Sequence, residues 1–166
     1  MPTLTNILLV MTATTTALMA GLFYAFSCSV NLGLARLSNA EYISAMQSIN
    51  RTIQNPIFFA AFFGAPILLP LIVFLHYGQP LTMRFWFLLA ATIIYLIGTF
   101  SVTIFGNIPL NNTLDHFNLE LASEKEASLQ RANFEGRWNN LNTIRTVSST
   151  IAIMLVVIAC LSPHLL

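Results

Sequence analysis

The sequence predicts an all-α fold, an integral membrane four-helix bundle, and three observations predict it. Four apolar stretches run from about Asn6 to Val30, Ile57 to Leu75, Phe85 to Phe105 and Leu141 to Leu161, each near the roughly 20 residues a helix needs to cross a hydrocarbon core. Of 166 residues, 56% are hydrophobic and only 8% charged, far from the roughly 25% charged residues of an ordinary soluble domain. The stretches and their connections use nearly the whole chain, which predicts a single four-span transmembrane domain over residues 1–166.

The first span follows Met1 to Asn6, which carry no Lys or Arg. Its apolar run exceeds the h-region of a cleavable signal, so it is expected to be retained. Thr12, Thr14, Thr15, Thr16 and Gly21 suit close helix packing, with hydroxyls bonded to backbone, and Asn31 and Gly33 mark the exit. From Ser38 to Asn55 the pattern is amphipathic, with Ser38 or Asn39 as cap and Tyr42, Met46 and Ile49 on one stripe. A short interfacial helix is expected there.

The second span starts at Pro56 and holds Pro66 and Pro70 beside Gly64. Each inner proline removes a backbone donor and crowds the carbonyl four residues back, which predicts a kink. His76 to Pro80 read as a tight turn, and Tyr77 with Trp86 as an interfacial aromatic belt. His76 and His164 are expected to be solvated. The third span leads into Asn107-Ile108-Pro109-Leu110-Asn111-Asn112, read as an asparagine-rich turn. The stretch carrying Asp115, Glu120, Glu124, Glu126 and Glu135 predicts a solvated amphipathic helix before the fourth span.

Cys28 and Cys160 lie near the ends of the first and fourth spans. With a rise of about 1.5 Å per residue they fall most of a bilayer apart, beyond disulfide reach, and both are expected to be buried apolar thiols. Arg36, Arg51, Lys125, Arg131, Arg137 and Arg145 belong to one membrane face and Arg84 to the other. The positive-inside rule then places both longer loops in the cytoplasm and both termini outside. A net charge of +1 without a basic stripe argues against nucleic acid as a partner. No HExxH, Cys pair, GxSxG, P-loop or dinucleotide-binding pattern occurs, and His116 has no ligand-spaced companion to make a metal site.

Polar residues concentrate where the helices meet water. On the fourth span Trp138, Asn142 and Arg145 fall at i, i+4 and i+7, on one side of a helix, and Ser149 continues the line inward. Asn107 and Asn111 lie at the same depth, and Gln47 and Asn50 of the interfacial helix share that face. Two readings follow. The residues could cap helix ends, snorkel and clamp helices together. Alternatively they form a pocket in which Arg145 polarises a ligand oxygen, the amides orient it and Trp138 stacks on it. Intramembrane polar groups are costly and tend to face a partner or a cavity, so capping and snorkelling of single residues explain the shared face less well. No residue of this set is an obvious general base.

Phe23 to Ser27 (FYAFS), Met46 to Asn50 (MQSIN) with Asn55 and Pro56, Asn107 to Asn111 (NIPLN), and Trp138 with Asn142, Arg145 and Thr146 occur in this order through the chain. In these motifs it resembles the anthrone oxygenase-like family of small four-span membrane proteins. The resemblance implies oxidation of an activated phenolic methylene by O2 to a quinone, with no metal or flavin cofactor and Arg145 as electrostatic partner of the substrate enolate. Arg145, Trp138 and Asn142 are the candidate catalytic residues, with Asn107, Asn111, Gln47 and Asn50 as candidate ligand contacts. The rival is a non-enzymatic protein that binds a lipid or small hydrophobic ligand, or an oligomeric scaffold. Expected partners are membrane lipids, a small hydrophobic aromatic ligand and further copies of the chain. A transporter fits less well, because no repeated half or intramembrane acidic relay is present.

Overall fold

A computed structural model describes residues 3–77 and 81–162. Helix α1, Leu4–Leu34, starts where the Thr3 side chain accepts the Asn6 N–H, and it widens into one π-helical turn over Phe26–Val30. The interfacial helix α2, Asn39–Thr52, opens with a capping box: Ser38 accepts from the Glu41 backbone, and the Glu41 carboxylate accepts from Ser38. Those donors hold the Glu41 carboxyl below its ordinary value. Helix α3, Pro56–Leu75, is capped by Asn55 and continues through Pro66 and Pro70. In hydrocarbon the remaining backbone groups have no solvent to turn to, so the helix persists across both prolines.

Helix α4, Met83–Asp115, is capped by Thr82 and includes π turns at Leu96–Ser101 and Thr103–Asn107. The asparagine-rich segment is therefore helical rather than a turn. Pro109 sits in the first turn of the α-helical segment that resumes after the second π turn, a position where its missing N–H is tolerated. Helix α5, Glu124–Leu161, has 38 residues and opens with a Ser123/Glu126 capping box. The amphipathic stretch expected before the fourth span is its first part and runs into the span without interruption. Gly78, Gln79, Pro80 and His164 lie outside the described residues.

Among the described residues, four helices are long and apolar enough to cross a membrane: α1, α3, α4 and α5. The chain is thus a four-helix membrane bundle, in which α1 packs on α3 and α5, and α4 packs on the same two. Met19, Phe62, Leu69, Leu88, Tyr95 and Val156 fill its centre. A second core lies under α2, where Tyr42, Ile43 and Met46 meet Leu114, Phe134 and Trp138. Large apolar side chains such as Ile57, Ile67, Phe105 and Leu161 point outward, as a lipid-facing surface requires.

Two details differ from expectation or extend it. Cys28 and Cys160 are free, as expected, but exposed rather than buried. The inner faces of their helices are occupied by Phe23 on α1 and by Val156 and Ala159 on α5, which leaves the thiols on the outer surface. Arg84 is buried and donates to the carbonyls of Ala159 at 2.9 Å and Ser162 at 2.7 Å, so it closes the end of α5, where the last carbonyls lack helical partners.

Candidate functional site

The inner face of α5 presents Trp138, Asn142, Arg145 and Ser149, all buried. Asn142 is fully enclosed, and its amide nitrogen donates to Ser27 Oγ at 2.8 Å and to the Phe23 carbonyl at 3.2 Å. Its amide oxygen accepts Arg145 Nη2 at 2.9 Å. Thr146 Oγ1 adds contacts of 3.0 Å to the Phe23 carbonyl and 2.8 Å to Ser27 Oγ. The π turn of α1 begins three residues after Phe23, and there side chains of α5 dock on α1 backbone. π turns of this kind frequently mark functional sites.

Arg145 retains only 5% of its surface. Its guanidinium carbon lies 4.4 Å from the Phe23 ring centroid and 5.3 Å from that of Trp138, so the ring faces stabilise the cation. Among the described residues no carboxylate pairs with it, because the two ion pairs are Arg51–Asp115 and Arg131–Glu135. Its Nε is buried without a partner. A guanidinium in this state is an unsatisfied cation and donor.

That donor lines a cavity of about 220 Å³ to which all five helices contribute. The apolar wall is aromatic: Phe23 and Phe26 of α1, Phe58 and Phe62 of α3, and Trp138 of α5. Phe58 stacks on Phe62 at 5.3 Å, and Phe26 lies 5.4 Å from Trp138. The polar members are Asn50 of α2, Gln54 just beyond its end, Thr103, Asn107, Asn111 and Asn112 of α4, and Arg145. Trp138 Nε1 donates to Asn111 Oδ1 at 2.8 Å, which fixes the indole plane. Asn107 is 1% exposed, and both its amide atoms lack partners, as does Asn50 Nδ2. Among the described residues, Arg145 is the one titratable group of the lining.

Arg145, Trp138, Asn107, Asn111 and Asn50 therefore converge on one cavity. Asn142 does not line it and instead holds Arg145 and joins α5 to α1. Gln47 is also elsewhere: its amide donates to the carbonyls of Leu114 at 2.8 Å and Phe117 at 2.9 Å, ending α4. His116 is exposed, with Nδ1 at 2.7 Å from the Asn112 carbonyl. Sequence reasoning missed the phenylalanine wall, Gln54 and Thr103. Phe58 and Phe62 are spaced i and i+4, but an apolar pair in a membrane span gives no sign of whether it faces lipid or ligand.

Residues 57–155 match the family described as anthrone oxygenase. The chain belongs to the anthrone oxygenase family. The family match carries Phe58, Phe62, Asn107, Asn111, Trp138 and Arg145, whereas the walls supplied by α1 and α2 precede it. No curated protein and no solved structure matches the chain.

Proposed function

We propose that the protein is a cofactor-independent oxygenase acting on a hydrophobic phenolic substrate held within the bundle. The carrying observation is Arg145, a buried cation with no carboxylate and an open Nε, at the polar side of an aromatic-walled cavity. A phenolic ring system with an acidic methylene would pack on the phenylalanines and Trp138 and direct its enolate oxygen at Arg145. Donors aimed at developing charge lower the cost of forming it. Among the described residues the lining has no carboxylate, imidazole, amine, thiol or phenol, so the proton leaves to water while the guanidinium stabilises the anion.

The enolate carbon then passes electrons to O2. Two C–H bonds are broken and one C=O bond forms, with one oxygen atom retained and the other released as water. The methylene loses four electrons and O2 gains four, so the balance closes without an outside reductant. The distribution of Lys and Arg supports an orientation with both longer loops in the cytoplasm and both termini outside.

The clamp made by Asn142, Thr146 and Ser27 favours one alternative, a ligand-binding protein in which part of the polar cluster only joins helices. Oxygen uptake by the detergent-purified protein with 1,8-dihydroxyanthrone separates the two. The oxygenase consumes one O2 per anthrone converted to the quinone, and Arg145→Gln abolishes uptake while the protein stays folded. Binding without uptake above the uncatalysed rate overturns catalysis and leaves the binding protein, and absence of binding overturns the aromatic ligand site.

A further inference from the structure

Asn107 sets a demand that an oxyanion alone does not meet. Its amide is 1% exposed, both atoms lack partners, and it lines the cavity with Arg145 Nε and Asn50 Nδ2, which are also unpartnered. Three of these four atoms are donors, and any carbonyl or phenolate oxygen can satisfy them. The fourth, the amide oxygen, accepts only. Exchanging the amide's O and N does not alter this, because both positions are unpartnered.

We infer that Asn107 is a specificity-determining residue that reads a second oxygen of the ligand, a neutral hydroxyl, so that the cavity takes aromatic molecules bearing a hydroxyl in addition to the oxygen held by Arg145. This inference rests on the cavity being an aromatic ligand site. The hydroxyl donates to the Asn107 amide oxygen and accepts from a neighbouring donor. A ligand without it leaves a buried acceptor unsatisfied, and sites built around a hydrogen bond reject analogues that lack the group far more strongly than apolar pockets reject a change in size. Asn107 closes the second π turn of α4, a backbone feature frequent at functional sites.

The test is equilibrium binding of dihydroxynaphthalene isomers, their mono-O-methyl ethers and the parent naphthols, read by quenching of Trp138 in the purified Trp86→Phe protein. Trp86 is half-exposed and outside the cavity lining. At least one diol is expected to bind about tenfold or more tightly than both its methyl ether and the naphthol, and Asn107→Leu should remove that preference by weakening the diol alone. Equal affinity of all diols and their ethers in the unsubstituted cavity overturns the inference, and needs no cavity variant to fold. A preference that survives in Asn107→Leu overturns it as well. If no naphthalene binds, the aromatic ligand site itself fails and the inference with it, a result distinct from binding without discrimination.

Discussion

Arg145 and Asn142 are joined by a 2.9 Å hydrogen bond between neighbouring turns of α5, and the amide reaches on to Ser27 and the Phe23 carbonyl of α1. The cation is thus held by a neutral group that is itself anchored across the bundle. A carboxylate in that position would neutralise it. Asn142→Asp is expected to form an internal ion pair with Arg145, give up the donor to the Phe23 carbonyl, and reduce anthrone turnover roughly a hundredfold, the scale on which loss of one oxyanion-stabilising donor is felt. Oxygen uptake and thermal unfolding on the same preparation check this. Undiminished turnover would show that the charge of Arg145 does not drive the reaction.

Asn107 and Asn142 are both buried asparagines and should respond oppositely to leucine. Asn142→Leu removes bonds that join α5 to α1 and leaves their partners short, a loss of about 1–3 kcal/mol. Asn107→Leu replaces an amide that has no partner and relieves a desolvation cost of similar size. Thermal unfolding in one detergent should therefore fall for the first and rise for the second. An equal fall for both would mean that protein groups satisfy Asn107 in solution.

Much of this architecture was legible in the chain, and the parts that were not share a cause. Hydropathy and length identify helices that cross the membrane, because hydrocarbon leaves the backbone no other partner. Helical spacing puts Trp138, Asn142 and Arg145 on one face, and that face is buried. Which of these residues meets a cavity and which meets another helix depends on what packs opposite. Asn142 and Gln47 find helix partners while Asn107 finds none, although all are amides. The continuity of α4 past Asn107 depends on π turns that carry no residue signature. The outward-facing cysteines show the same limit: composition identifies a span but not its lipid-facing side.

Gly98 of α4 packs directly against Ser148 of α5. A β-carbon there would lie 2.1 Å from Ser148 Oγ and 2.6 Å from its Cβ, too near for a rotamer change to relieve. Gly98→Ala is expected to destabilise the protein by roughly 1–3 kcal/mol through overpacking. Ser148→Gly in the same chain should restore most of it. Thermal unfolding of the single and double variants checks the pair, and lack of rescue would place the strain elsewhere.

Tyr42 gives the interfacial helix an alkaline limit. Burial raises its phenol well above the ordinary value, assisted by the nearby Glu135 carboxylate and opposed by Arg131, whose guanidinium lies 4.5 Å from the ring centroid. The unfolded chain ionises near about 10. The stabilisation is therefore complete below that pH and is lost as pH rises from there toward the higher folded value. Unfolding temperatures of the wild type should fall above pH about 10 more steeply than those of Tyr42→Phe. Parallel curves would mean that the phenol is not protected in the fold.

The position of Arg145 also has a bearing on how the protein is made. An arginine within a span costs about 2.5–3.5 kcal/mol to insert at the centre of a lone helix, and the groups that shield this one, the Phe23 ring and the Ser27–Asn142 link, lie on α1 and α5. Synthesis delivers α1 first and α5 last. The final helix thus reaches a bilayer in which its shelter already waits, and biogenesis has a built-in order: a chain whose first span is damaged at Phe23 or Ser27 should falter when its last span inserts, more than 100 residues later.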